Sequence, residues 1–111
     1  TLMAQFDVHR NKGALRESIP FVVLVQSAQF DRYRRRMVVP LVRRSALPGN
    51  TPTVGSRMNP AFQVEGVHVV LHPLDMVSVA LDQLGEHVGS LADQGQAIAD
   101  ALDELLTRSW G

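Results

Sequence analysis

The stretch "FVVLVQSAQFDRYRRRMVVPL" (residues 21–41) contains two apolar runs separated by a heavily charged turn, "SAQFDRYRRR" (27–36). The first run belongs to "IPFVVLVQ" (19–26), which is β-branched and aromatic and reads as a buried strand with Pro20 at its start or on an edge. The second, "RMVVPLVRR" (36–44), reads as another strand, interrupted by Pro40. Proline cannot donate to a ladder, so residue 40 is expected at an edge or a bulge.

On the N-terminal side, "AQFDVH" (4–9) alternates with period two and reads as a first strand, joined to the next by the polar, glycine-bearing loop "RNKGALRES" (10–18). On the other side, "SALPGNTPTVGSRMNP" (45–60) is a long loop. "AFQVEGVHVVLHP" (61–73) is two short runs around Glu65-Gly66, a hairpin, and "DMVSVALDQLG" (75–85) is a further β-rich segment. From Ser90 the period changes. Ser90 and Asp93 form a capping pair, and Leu91, Ile98, Leu102, Leu105 and Leu106 follow helical spacing. The spacing predicts a helix over 91–108 despite Gly95. The class is α+β, a strand-rich domain closed by a C-terminal helix.

With 111 residues and ordinary globular composition, the chain is expected to be a single domain, 1–111, with one modest core. Thr1 and Leu2 precede a plausible start at Met3, which marks them as candidate additions to the natural chain. No charged head followed by an apolar region is visible at the N-terminus, and no apolar run approaches a membrane span. The absence of cysteine excludes disulfides, thiolate metal sites and thiol nucleophiles, and fits a cytoplasmic location. The formal net charge of zero hides a split. Residues 1–57 carry ten basic against three acidic side chains, and residues 58–111 one against eight. Either the halves neutralise each other in the fold, or a basic surface awaits an acidic partner. Ten of the eleven basic residues are arginine, which suits carboxylate recognition.

Signatures of catalysis are weak. His9, His68, His72 and His87 show no ligand spacing, because His68 and His72 lie in a strand and its exit, so no metal site is expected. No phosphate-cradling glycine loop is present, and Ser27, Ser56 and Ser78 lack a nucleophile elbow. Asp75, Asp82 and Glu86 read as solvated carboxylates. The run Arg32, Arg34, Arg35 and Arg36, with Tyr33, suits either phosphate binding or a solvated strand entrance. The residues point to a binding protein, without cofactor, rather than an enzyme. Trp110, the only tryptophan, falls about 120° from Ile98 on a helical projection, bordering the apolar stripe rather than lying in it. It is either core or an anchor for another molecule.

Three stretches, "MAQFDVHRN" (3–11), "FVVLVQSAQFDRYRRRMVVPL" (21–41) and "VSVALDQLGEHVGSLADQGQAIADALDELLTRSWG" (77–111), together resemble the CcdB family of toxins from bacterial toxin–antitoxin modules. "RRMVVPL" and the terminal Trp-Gly are the most specific parts, and the loops at 10–18 and 44–60 are unlike the family. The resemblance implies a small twisted, SH3-like antiparallel barrel-like sheet of the CcdB/MazF type with a C-terminal helix, assembled as a homodimer. It implies a toxin that acts without catalysis, by binding the A subunit of DNA gyrase and trapping the enzyme on cleaved DNA. Trp110 would be the anchor, stacking on a gyrase arginine beside Gly111, with Ser109, Gln29 and Phe30 completing the contact. The family has an aromatic before the Trp and two aliphatics where Gln29 and Phe30 stand, and its usual chain runs one residue beyond Gly111. The implied neutraliser is a CcdA-like antitoxin with a disordered acidic segment, for which Arg10, Lys12, Arg16, Arg43 and Arg44 are the candidate contacts. The resemblance further implies plasmid maintenance and transcription regulation together with the antitoxin. No membrane and no nucleic-acid contact by the toxin alone are expected. A MazF-like endoribonuclease is the alternative, with Arg16, Glu17, Thr53 and Arg57 as its only loop candidates. Another is a domain that keeps the fold and binds antitoxin but has lost gyrase poisoning.

Overall fold

The computed structural model describes residues 4–27, 34–47 and 54–107. Its strands are β1 (Asp7–Asn11), β2 (Phe21–Leu24), β3 (Arg35–Arg43), β4 (Ala61–Val64), β5 (Val67–Leu71), β6 (Val77–Ala80) and β7 (Leu84–Ser90), followed by helix α1 (Gly95–Thr107). The strands form a seven-stranded sheet in the order β4-β5-β3-β2-β1-β7, with β6 pairing to β3 off that path. All pairs are antiparallel. The sheet curls into a half-barrel, and α1 packs its buried Ile98 and Ala101 into the same core as Val8, Phe21, Val39, Phe62 and Leu71. This is the α+β architecture expected from the sequence.

The first strand begins at Asp7, later than the alternation over 4–9 suggested. Ala4–Asp7 instead make a turn, in which Asp7 N donates to Ala4 O (3.1 Å) and Ala4 N to Asp7 Oδ2 (3.0 Å). Phe6 occupies the left-handed region at φ 73°. That conformation is strained for a bulky residue and persists only where its surroundings fix it. Here Phe6 N donates to Leu24 O (2.6 Å) and Phe6 O accepts from Leu91 N (2.9 Å), tying the end of β2 to the entry of α1.

Pro40 is not at an edge. It lies inside β3, opposite Val22 of β2. The other side of β3 pairs with β6 through Arg35–Val38 and with β5 through Leu41–Arg43, and Pro40 falls in the gap between them. Its carbonyl faces that gap and accepts from His72 N (3.1 Å). A strand residue turns its N–H and C=O to the same side, so the missing donor is the one with no ladder partner.

The hairpin at Glu65-Gly66 forms as read, a two-residue loop with φ 51° and 78°, both positive as a type I′ turn requires. The segment 75–85 is not one strand. A 3₁₀ turn (Pro73–Asp75) precedes β6, and a second (Leu81–Gln83) separates β6 from β7. β7 itself, "LGEHVGS", was not apparent in the sequence. It is an edge strand without an apolar alternation, and its register against β1 shifts on both sides of His9–His87. A Cβ at Gly85 would sit 2.5 Å from the carbonyl oxygen of Arg10, so the close approach at this bulge requires glycine.

The C-terminal helix is shorter than 91–108. Ala92–Gln94 form a 3₁₀ turn and α1 starts at Gly95. Ser90 Oγ accepts from Ala92 N (3.1 Å), in place of a capping box with Asp93. Ile98 is fully buried, but Leu106, placed on the stripe by its spacing, is 63% exposed. The inward face runs through Ala101 instead. Gly95, which looked like a weak point in the helix, lies against the Phe6 ring, and a Cβ there would meet Phe6 Cε2 at 2.5 Å.

Because Phe6 is fixed by its main-chain bonds, its ring has little room to retreat. Gly95→Ala is expected to destabilise the fold by about 1–3 kcal/mol despite alanine's better helix propensity. Urea denaturation checks it; an unchanged or raised midpoint would refute the packing argument.

Candidate interaction surface

The alternation that sends Val23, Val39 and Leu41 into the core sends Val22, Val38 and Pro40 to the opposite face of the sheet. That face is also apolar. The β1–β2 loop on one side and β6 with the 81–83 turn on the other enclose a groove over it, about 240 Å³ in volume. Leu15, Ile19, Val22, Pro40, Val79 and Leu84 line it. Leu15 stands 63% exposed at its rim, and Val77 47%. The groove continues into a polar recess beside Lys12, Asp82 and Gln83. Sequence reading missed Leu15, Val77 and Val79 as surface residues of interest. The signal was present, since "FVVL" carries valine on both faces of its strand, where a sheet solvated on one side would not, and "VSVA" puts both its valines on one face.

The five candidate cations are placed differently from one another. Arg10, in β1, is already engaged. Its Nε donates to Glu86 Oε1 (2.9 Å) and its Nη2 to Glu65 Oε1 (2.7 Å). Its guanidinium also lies 5.8 Å from the centre of the Phe21 ring. The hydrogen bonds to Glu86 and then Glu65 hold its proton more tightly than usual, so it stays charged at every relevant pH. Lys12 Nζ donates to Asp82 O (3.1 Å), closing the groove's polar end, and Arg16 reaches Gly13 O at 3.4 Å. Arg43 Nε donates to Glu17 O (3.1 Å). Arg43 and Arg44 border a second recess with Gly66, Val67 and His68. Among the described residues, Lys12, Arg16, Arg43 and Arg44 meet main-chain carbonyls or solvent rather than carboxylates.

The gyrase candidates Gln29, Phe30, Ser109, Trp110 and Gly111 lie outside the described residues, as do Arg32, Tyr33 and Thr53. Among the described residues, the nuclease candidates Arg16, Glu17 and Arg57 are not brought together. Arg57 is held by α1, with Nη1 donating to Glu104 Oε2 (2.8 Å) and Nη2 to Asp103 Oδ2 (3.4 Å). Arg16 and Glu17 belong to the β1–β2 loop, joined to Arg57 by no hydrogen bond or ion pair.

Ser56, Ser78 and His72 have structural partners. Ser56 Oγ accepts from Asn59 N (3.2 Å). Arg35 donates to Ser78 Oγ (2.8 Å) and Ser78 O (2.7 Å), while Gln83 Oε1 accepts from Ala80 N (3.1 Å). The pairs Arg36–Val79 and Val38–Val77 set the ladder to β3, so Ser78 and Ala80 turn their main-chain groups to the free edge of β6. Arg35 and Gln83 therefore blunt that edge against strand addition. His72 Nδ1 lies 3.1 Å from Asp75 Oδ2. Among the described residues, no group of three or more His, Asp or Glu could hold a metal ion. No helix among them is long and apolar enough to cross a membrane.

No curated protein matches the chain. The family model of the CcdB protein matches residues 5–108, nearly its whole length, and includes the half-barrel, the β6–β7 segment and α1. The chain belongs to the CcdB family of toxin–antitoxin toxins.

Proposed function

We infer that the protein is a non-catalytic toxin, acting in the cytoplasm as a homodimer. It binds the A subunit of DNA gyrase, traps the gyrase–cleaved DNA complex, and is neutralised by a CcdA-like antitoxin. The observation that carries this reading is the CcdB family match over residues 5–108. Further support comes from Arg57, Ser56 and Ser78, which are bonded into the scaffold rather than gathered at a reacting centre.

Trp110 is the anchor in this reading, with Gly111, Ser109, Phe30 and Gln29 around it. A cation–π contact to a gyrase arginine contributes about 0.5–2 kcal/mol, and two copies on a symmetric dimer act bivalently. Support for the dimer comes from Leu74, Val77 and Leu81, which are 66%, 47% and 40% exposed on one segment. With the edge of β6 blunted, this apolar surface joins copies through side chains rather than through a shared sheet. Sedimentation at micromolar concentration is expected to give about twice the chain mass; a monomer throughout would remove the bivalent mechanism.

The antitoxin reading draws on the groove. An apolar floor with Lys12 and Arg16 near its rim suits a disordered segment that is apolar on one side and acidic on the other, as a CcdA-like tail would be. Arg10 was a candidate contact, but its two carboxylate partners make it part of the wall. Arg43 and Arg44 border a different recess, where such a segment could continue. Calorimetric titration with an acidic CcdA-like peptide is expected to show affinity falling as salt rises, since ions screen charges beyond a Debye length of about 8–10 Å. Lys12→Glu should weaken binding, and salt-insensitive affinity would point to purely apolar recognition.

For the target, Trp110→Ala is expected to leave the melting temperature nearly unchanged and to abolish gyrase-mediated plasmid cleavage, as hot-spot aromatics commonly contribute 2 kcal/mol or more. A melt lowered together with activity would make Trp110 core. Wild-type protein that leaves gyrase untouched would leave a family member that has lost this target, and RNA cleavage by it would favour the MazF-like alternative.

A further inference from the structure

The recess between the end of β3 and the tip of the β4–β5 hairpin is lined by Arg43, Arg44, Ser45, Gly66, Val67 and His68 and encloses about 470 Å³. Register builds it. Arg43 pairs with Val69 across the β3–β5 ladder, so the chain leaving β3 runs beside His68 and Val67. One wall therefore carries two guanidinium groups and a hydroxyl, and the other an imidazole and the turn at Glu65-Gly66. Val64 and Val67 close the β4–β5 ladder, which leaves the amide of Gly66 outside it.

These donors have few partners in the fold. Arg43 is held twice, its main-chain N donating to Ser18 O (2.7 Å) and its Nε to Glu17 O (3.1 Å), and both Nη groups remain for another acceptor. Arg44, Ser45 and His68 are exposed. Among the described residues, their side chains make no hydrogen bond or ion pair. No carboxylate of a described residue lines the recess. Glu65 is taken by Arg10, and Glu17 meets Arg43 through its carbonyl rather than its carboxylate. Elsewhere the fold supplies its bridging guanidinium groups with carboxylates, Glu65 and Glu86 at Arg10, and Asp103 and Glu104 at Arg57. Two adjacent guanidinium groups without such partners leave a positive field in a concave site, which draws an anion.

We propose that this recess binds the phosphate group of a small phosphate monoester. A planar carboxylate is satisfied by one guanidinium fork. A phosphate monoester offers three strong acceptor oxygens and a charge of about −1.5 to −2, which matches donors converging from two walls. Val67, half-buried in the same wall, gives the group carried by the phosphate an apolar contact. Nucleic acid fits less well, because binding its backbone takes cations in a row along successive phosphates. Arg10, the next cation at the hairpin tip, is already paired with Glu65 and Glu86. The site goes beyond the toxin reading and does not depend on it.

Titration of the intact protein with inorganic phosphate and with ribose 5-phosphate, followed by ¹H–¹⁵N spectra at constant ionic strength, tests the site. Saturable shifts are expected for the amides of Arg44, Ser45, Gly66 and His68, while acetate does not saturate over the same range. Arg44→Ala removes an exposed side chain that the fold does not use, so the melting temperature is expected to stay at the wild-type value. The same variant is expected to bind both phosphates at least about tenfold more weakly, the order of one hydrogen bond to a charged group. Shifts that grow linearly with phosphate, or a variant that binds as tightly as wild type, overturn the proposal. Acetate that saturates equally overturns it as well, making the recess a carboxylate site. A short DNA duplex that shifts these amides while both small phosphates fail overturns it in favour of a backbone track.

Discussion

Phe6 is where the chain's separate parts are forced into one arrangement. Its left-handed backbone is unfavourable for an aromatic residue, and what holds it there is long-range. The amide reaches the end of β2, the carbonyl reaches the residue before the 3₁₀ turn, and the ring fills the space beside Gly95. Each contact needs the others. Without glycine at 95 the ring cannot lie there, and without the turn at Phe6 the carbonyl does not meet Leu91. The helix is thus positioned from the start of the chain as well as from β7, which precedes it.

The curl of the sheet has a different origin. β3 passes from β6 to β5 along one edge while β2 pairs with the other edge across the change, over Val38–Leu41. Pro40 marks the change of partner, and its missing N–H means that no donor is stranded at the gap. Beyond it the β4–β5 hairpin folds back over the core, and its tip comes within reach of β1. There Glu65 accepts from Arg10, which also holds Glu86 of β7. One guanidinium thereby bridges the two ends of the strand order, with the aromatic face of Phe21 close by. Glu65 is an uncommon choice at a positive φ, where asparagine or aspartate is the usual residue. Its ion pair supplies a reason for it to be there.

Local pattern made several elements legible. β2, β3, the β4–β5 hairpin and the body of α1 each carry their own signal in alternation, turn chemistry or helical spacing, and the structure contains them close to those bounds. What could not be read locally was decided by contacts from elsewhere. Pro40 looked like an edge residue because sequence does not show that a strand changes partners beside it. β7 was missed because its Gly85 is dictated by the Arg10 carbonyl rather than by a propensity. Leu106 was placed on the buried stripe by spacing, yet the helix buries the smaller Ala101. At the candidate interaction surface, the cations were visible in the sequence but not their partners. Arg10 looked as available as Lys12 until Glu65 and Glu86 were found at its side chain.

The charge split between the halves resolves through these same contacts. Arg10 and Arg57, from the basic half, take up acidic partners from the other half at places where the chain must be held closed: the hairpin tip against β1 and β7, and the strand entrance before β4 against α1. Each of these pairs is partly exposed, so its main effect is to fix geometry rather than to add much stability. Lys12, Arg16, Arg43 and Arg44 bond only to carbonyls or solvent, on the β1–β2 loop and just after β3. The neutralising reading of the sequence therefore holds at the closure points. The cations at the closure points are spent internally, and those beside the apolar groove keep their field for whatever approaches it.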